Sequence, residues 1–319
     1  MYLDLDEGER AVSEGVAAFL AGEFPLQRLL HSSDSEALEA FAAQGWLGLA
    51  VPEELGGAGL SCVEEALFFM AHGREAGPFD LFPQMLALEV ARHSPTLVAE
   101  LLSAVHRVAL WVATEGETAR LVASAPPTVA LRIEVQRVAL WELKGKELSE
   151  RTCLDRSVSF YLVPRAELRL LAEERCDLYL RAELALASME VGIAQRALEM
   201  IVAYARQRHT FGRPIGAYQA VRHPCADMAV RVEAARCQLY YAACALREGH
   251  RDAATQVSAA RVLARRAARD NTDLNIQLHG GLGVTEEYPA HLLLKRANLL
   301  ARLPGGRSWE REALLQESA

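Results

Sequence analysis

The chain has 319 residues, 51% of them hydrophobic and 24% charged, with a formal net charge of -8. That length supports a large core and two or three domains, and the composition is that of a soluble globular protein. The acidic balance argues against a general nucleic-acid binder, and no apolar run reaches the roughly 18 residues of a membrane span. Six cysteines (62, 153, 176, 225, 237 and 244) contain no Cys-x-x-Cys pair. They read as buried or free thiols in a reducing compartment, with no structural metal. The start, MYLDLDEGER, is acidic and lacks the basic opening of a signal peptide, so a cytoplasmic location is expected.

Residues 1–103 read as helices. DEGERAVSEGVAAFLAGEF places Val12, Val16, Phe19 and Leu20 at helical spacing. DSEALEAFAAQGW begins with a candidate N-cap at Asp34 or Ser35 and stops at Gly45. In VPEELGGAGLSCVEEALFFMAHGREAGP, two glycines that tolerate positive φ mark a turn. Ser61 and Glu64 then stand at capping-box spacing ahead of a helix.

Residues 104–176 change character. HRVALWVAT, TVALRIEV, RVALWELKG and RSVSFYLVP are short, rich in β-branched and aromatic residues, and several alternate apolar with polar. ASAPPT and LKGKELSE separate them as turns. A small antiparallel β-domain is expected, although any one of these apolar runs also fits a helix.

Residues 177–319 return to long helices. The first, LYLRAELALASMEVGIAQRALEMIVAYARQR, is apolar around much of its circumference, as a central bundle helix would be. The second and third end at Gly249 and Gly280, both candidate C-caps, and Pro224 is expected to kink or restart the second. The fold class is therefore mainly α with a small middle β-domain: a helical domain (1–103), a β-domain (104–176) and an antiparallel four-helix bundle (177–319).

Two loops of the bundle carry chemistry. RQRHTFGRPIGAYQ (206–219) crowds Arg206, Arg208, His209 and Arg213 around Gly212 and Pro214. Cations at the end of a helix, beside its unsatisfied backbone groups, suit an anion such as a phosphate; a solvated basic turn is the plain alternative. QLHGGLGVTEEYP (277–289) offers Gly280 and Gly281, where a ligand or another chain can approach the backbone closely. It is not the GxGxxG dinucleotide fingerprint, because no strand precedes it, and a simple glycine C-cap is the alternative.

Taken together, GWLGLAVPEELGGAGLS, RHTFGRPIGAYQAVRHPCADM and QLHGGLGVTEEYP resemble, in the right order, signature stretches of the acyl-CoA dehydrogenase family. The resemblance implies a short, divergent member with the helical–β–helical fold, a dimeric or tetrameric assembly, and FAD held between subunits. It implies FAD-dependent α,β-dehydrogenation of an acyl-CoA thioester in lipid catabolism, with an electron-accepting flavoprotein as a further partner. By the same resemblance, Arg208 would pair with the FAD pyrophosphate, Thr210 would donate a hydroxyl hydrogen bond, and Phe211 and Gln219 would line the site. Gln277, Gly280 and Gly281 would bring amide and backbone groups to the nucleotide.

The sequence departs from the family where the chemistry happens. The family's base, in a Tyr-Glu-Gly-Thr turn after the last bundle helix, aligns with LPGG, so Pro304 stands where a glutamate is expected, followed by Gly305 and Gly306. Proline has neither an acid–base group nor an amide N–H. The alternative base position of some members, near the start of the first bundle helix, is Ala182. Glu183 is adjacent, but one helical step turns a side chain by about 100°. Glu310 is a weaker candidate. The family's Thr-Glu-Pro-x-Ala-Gly-Ser-Asp flavin loop is echoed only by Thr114 and Glu115, in a short β-domain. Three readings remain open: a subunit that completes an FAD site while a homologous chain supplies the base, as a dimer or α2β2 tetramer; a self-sufficient dehydrogenase using Glu183; and a non-catalytic acyl-CoA-binding or scaffold protein.

Overall fold

The computed structural model describes residues 4–31, 34, 36–144 and 148–303. Their contacts divide the chain into two units: Met1–His31, Ala66–Gly77 and Glu183–Ala319 in one, Ser32–Glu65 and Pro78–Ala182 in the other. Packing therefore cuts across the linear boundaries at 103 and 176, while the helix, sheet, helix order along the chain is as expected.

The first unit is helical. α1 (Glu7–Glu23) starts with a capping box: Glu9 N–H donates to Asp6 Oδ1 at 2.8 Å and Asp6 N–H to Glu9 Oε2 at 3.0 Å. α3 (Cys62–Arg74) contributes its residues from Ala66 onward, and α6 (Leu178–Gln207) its residues from Glu183. These two touch backbone to backbone. A Cβ on Gly73 would lie 2.0 Å from the Met189 carbonyl oxygen, and one on Gly192 2.0 Å from that of Met70. Only glycine permits that approach.

α7 (Gln219–Arg247) and α8 (Ala253–His279) follow, then α9 (Ala290–Leu300). α7 runs continuously through Pro224, so the helix does not restart there. The missing N–H frees one carbonyl, that of Ala220, which sits on an exposed residue where water can satisfy it. Gly249 adopts φ 65° and His250 N–H closes on the Ala245 carbonyl at 2.9 Å, so α7 ends as expected.

The second unit joins short helices to a seven-stranded sheet. α2 (Ala37–Ala43) is preceded by Glu36, without a side-chain cap bond; Asp34 enters through its carbonyl, which accepts from Ala37 N–H at 3.2 Å, and Ser35 lies outside the described residues. Ser61 Oγ accepts from Val63 N–H at 3.1 Å while Glu64 returns to Ser61 N–H at 2.9 Å, which is the expected capping pattern. Of the two turn glycines, only Gly56 has positive φ (89°); Gly57 is needed for space, since a Cβ would meet the Val51 carbonyl at 2.1 Å.

The strands are β1 (Val108–Glu115), β2 (Thr118–Ala123), β3 (Val129–Glu134), β4 (Arg137–Leu143), β5 (Ser149–Thr152), β6 (Ser159–Pro164) and β7 (Leu168–Glu174). The order is β5-β6-β2-β1-β3-β4-β7. The sheet is not wholly antiparallel: β1 and β3 run parallel, with Val108 opposite Val129. β2 returns to the beginning of β1, and the Ser124–Thr128 link then starts β3 on the far side of the same end. Asp80 fixes that link by accepting from Ser124 N–H at 2.6 Å and from Arg107 at 2.9 Å. Gln84 fixes the start of β1, accepting from Val108 N–H at 3.0 Å and donating to the Leu101 and His106 carbonyls, both at 2.8 Å. Around it, α4 (Leu81–Ala91) is buried along almost its whole length.

Candidate functional site

The helical unit gathers both chemistry-bearing loops at one end. After α6 the chain turns through a hairpin, with β8 (His209–Thr210) paired to β9 (Arg213–Pro214). Its two tip residues both have positive φ, 47° at Phe211 and 80° at Gly212, which is the two-residue turn that matches strand twist. Phe211 is the strained member, because a non-glycine residue in this region is costly. Its side chain is also 93% exposed.

Hydrogen bonds set the hairpin's orientation. Arg208 N–H donates to the Tyr204 carbonyl and Ile215 N–H to the Arg208 carbonyl, both at 2.8 Å. The Tyr218 hydroxyl donates to the Thr210 carbonyl at 3.0 Å, and the Arg213 guanidinium lies 4.1 Å over the Tyr218 ring. Arg206, Arg208, His209 and Arg213 are all exposed. Among the described residues no carboxylate pairs with the three arginines. Gln219, also exposed, opens α7 directly after this loop.

The second loop begins where α8 ends. Gly280 takes φ 63° with ψ -139°, a conformation essentially reserved for glycine. Neither Gly280 nor Gly281 has any atom within 4 Å of where a Cβ would stand, so their backbone faces open space. Gln277 is exposed one turn earlier.

Three aromatic rings bring the loops together. Tyr204, four residues before Arg208, stacks on His279, the last residue of α8, with centroids 4.5 Å apart. His279 also meets Tyr288 at 4.7 Å. The imidazole is 3% exposed and bonded at both nitrogens: Nδ1 to the Asn275 carbonyl at 2.7 Å, Nε2 to the Tyr288 hydroxyl at 2.8 Å. A carbonyl only accepts, so Nδ1 carries the proton and Nε2 accepts from Tyr288. Burial pushes the His279 pKa down and the Tyr288 pKa up, consistent with a neutral ring and a donating phenol. Tyr204 and Tyr288 also border a cleft of about 610 Å³, with Met200, Arg196 and Glu199 along its side.

The positions expected for a base look different. Ala182 is fully buried, and the preceding Arg181 is held by Glu65 at 2.7 Å and Glu89 at 2.9 Å. Glu183 belongs to a buried charge cluster: Arg261 Nε donates to its Oε2 at 3.1 Å, and the same guanidinium reaches Glu190 and, at 2.7 Å, the Leu300 carbonyl. Glu183, Glu190 and Arg261 are each at most 1% exposed. Pro304, Gly305, Gly306 and Glu310 lie outside the described residues. Thr114 and Glu115 end β1 at a two-residue hairpin over Gly116 and Glu117, with Glu115 opposite Thr118. A tight turn stands where the family resemblance implies a longer loop.

Sequence reasoning named both loops but missed what joins them. Asn275 and His279 are one turn apart on one helix face, and Tyr288 follows in the same motif; that spacing was the available signal. The Tyr204 contact, 75 residues away in the chain, had none. The Arg261 cluster was equally hidden, because a buried arginine in RVLARRAARD looks like its exposed neighbours.

Comparison with known proteins agrees with this architecture. The model of the acyl-CoA dehydrogenase N-terminal domain matches residues 6–94, and that of the acyl-CoA dehydrogenase C-terminal domain matches 181–316. Acyl-CoA dehydrogenase IpdE2 of Mycobacterium tuberculosis is 31% identical over 279 residues, spanning 81% of this chain and 79% of the relative. Its namesake in Mycolicibacterium smegmatis is 29% identical over 269 residues, spanning 82% and 80%. Among solved structures, the Tcur3481-Tcur3483 steroid ACAD superposes with TM-score 0.83 at 22% identity, covering 97% of each chain. The ChsE4-ChsE5 complex of Mycobacterium tuberculosis does so with TM-score 0.82 at 20% identity, covering 100% of this chain and 98% of that one. At those identities the structural likeness establishes the fold. The chain belongs to the acyl-CoA dehydrogenase family. No helix among the described residues is long and apolar enough to cross a membrane.

Proposed function

We propose that this chain is the cofactor-completing subunit of an FAD-dependent acyl-CoA dehydrogenase, with the catalytic base supplied by a homologous partner. The observation that carries this reading is the bundle end described above: an exposed cationic hairpin with no carboxylate partner among the described residues, beside two open glycines. Such a surface suits a pyrophosphate. Arg208 holds the pyrophosphate charge, Thr210 donates its hydroxyl, and Phe211 and Gln219 line the nucleotide. Gln277 contributes its amide, and Gly280 and Gly281 let the cofactor lie against backbone. These residues fit the nucleotide end of FAD, whereas the turn at Gly116 and Glu117 offers no comparable cradle for the ring.

When bound, FAD accepts the hydride from the substrate's β-carbon. Removing the α-proton needs a carboxylate held near the thioester. Ala182 and Pro304 bring none, and Glu183 is engaged by Arg261 inside the bundle. The pairwise names of the Tcur3481-Tcur3483 and ChsE4-ChsE5 structures support a two-chain assembly. An acyl-CoA is the substrate of that assembly, and a flavoprotein is its electron acceptor.

The test is to produce the chain alone and together with a longer homologue encoded beside it. The expected result is a colourless or weakly flavinated chain alone and a yellow complex that bleaches with an acyl-CoA. A chain that is yellow and turns over alone is the self-sufficient enzyme; Glu183→Gln then asks whether that residue is its base. A chain colourless in both preparations is a flavin-free scaffold, and either result overturns the proposal.

A further inference from the structure

We propose that His279 and Tyr288 are positioning residues for the cofactor: through them the hairpin bearing Arg208 and the loop bearing Gly280 and Gly281 are held in one fixed arrangement. This rests on the reading of those loops as the nucleotide site.

The argument is geometric. Tyr204 does two things at once. Its carbonyl accepts from Arg208 N–H at 2.8 Å, and its ring stacks on His279 at 4.5 Å. His279 in turn is bonded backward to its own helix through Asn275 and forward to Tyr288. One imidazole therefore ties the last turn of α6, the last turn of α8 and the segment leading into α9. Gly280 follows it directly, with its N–H donating to the Gln277 carbonyl and open space where a Cβ would stand. A rigid anchor at residue 279 and a second at 288 leave the intervening loop little freedom, which lowers the ordering cost of binding a nucleotide.

The relay has a direction. With Nδ1–H committed to Asn275, Nε2 must be a lone pair for Tyr288 to donate. Protonating the ring converts an accepting nitrogen into a donor and places a charge in a site 3% exposed. Around it stand Tyr204 from α6, Tyr288 from the following segment and Asn275 from α8. The charged group acting on Tyr288 is Arg196, which opposes a second cation there. Burial lowers the His279 pKa, the Asn275 hydrogen bond raises it, and among the described residues no carboxylate enters that balance.

Two measurements test this. In the FAD-free chain with ¹⁵N-labelled histidine, the His279 ring at neutral pH is expected as the Nδ1–H tautomer; an Nε2–H tautomer overturns the relay without reference to flavin. In the assembled protein, FAD dissociation constants are compared for the wild type, Tyr288→Phe, His279→Phe, His279→Gln and Arg208→Ala across about pH 5.5 to 8. Losing a buried hydrogen bond is expected to weaken FAD about tenfold in Tyr288→Phe and at least as much in His279→Phe, which keeps the ring stack. His279→Gln, whose amide oxygen still accepts from Tyr288 and does not titrate, is expected to stay within about threefold of wild type and to lose the weakening that the wild type shows as pH falls through the lowered His279 pKa. Wild-type affinity in Tyr288→Phe or His279→Phe, or an unchanged pH profile in His279→Gln, overturns the proposal. If Arg208→Ala loses FAD and the relay variants do not, only this inference falls. If Arg208→Ala retains FAD, or the wild type binds none, the nucleotide-site reading falls and takes the inference with it.

Discussion

Two groups of arginines in the same helical unit are treated in opposite ways. Arg261 and Arg265 sit in the bundle interior beside Glu183 and Glu190, with Arg261 fully buried. Arg206, Arg208 and Arg213 face solvent at the hairpin with no carboxylate partner among the described residues. A buried guanidinium has to be matched, because desolvation without a partner costs several kcal/mol. An exposed one need not be, and several left unmatched on an acidic protein form a local positive surface suited to an anion. The first group holds the structure together; the second is available for binding.

That contrast can be broken at either end. The largest effect is expected from Arg261→Met, which takes the Arg261 guanidinium away from two buried carboxylates, Glu183 and Glu190, the second of which also lies near Arg265. A loss of about 3–5 kcal/mol is expected in urea denaturation, and a loss under about 1 kcal/mol would show the cluster to be dispensable. Gly192→Ala should follow, since its new methyl must displace the Met70 carbonyl; about 1–3 kcal/mol is expected in the same assay. Gly280→Ala forces a side chain into positive φ at a position with open space, so strain alone acts. It should cost about 1–3 kcal/mol while also reducing flavin retention.

A pH effect should be smaller. Burial holds the His279 pKa below its ordinary 6.5. The folded state therefore binds this proton less readily than the unfolded one, so stability is full above about pH 6.5 and declines as pH falls towards the depressed folded pKa. Melting curves from about pH 7.5 to 5.5 should show the decline, and His279→Gln should flatten it. The smallest stability change is expected from Arg208→Ala: an unchanged denaturation midpoint, with weaker FAD retention in the assembled complex. A shifted midpoint would move Arg208 from the binding group to the structural one.

Much of this was legible in the sequence, and the rest was hidden for identifiable reasons. Helical periodicity and turn glycines located α1, α6, α7 and α8, and β-branched, aromatic runs located β1, β3, β4 and β6. β2, β5 and β7 escaped because TARLVA, SERT and LRLLAEE are short or charged, and their strand state comes from pairing with neighbours rather than from their own pattern. The parallel β1–β3 pair is a topological fact with no local signature. At the site, motif residues were visible because chemistry fixes their types and spacing. The burial of Glu183 was not, since an acid beside an alanine on a helix reads the same whether it faces water or an arginine 78 positions away.

The hairpin tip has one more consequence. Phe211 holds an aromatic ring almost wholly in water on a backbone conformation that costs energy to maintain. Left uncovered, that ring is a point of apolar contact between copies of the chain, and such self-association grows with concentration. Under the proposed two-chain assembly, matched synthesis of this chain and its partner is then a matter of colloidal stability as well as of activity. The amount of the chain that stays in solution when it is made in excess becomes a direct reading of how completely that tip is covered.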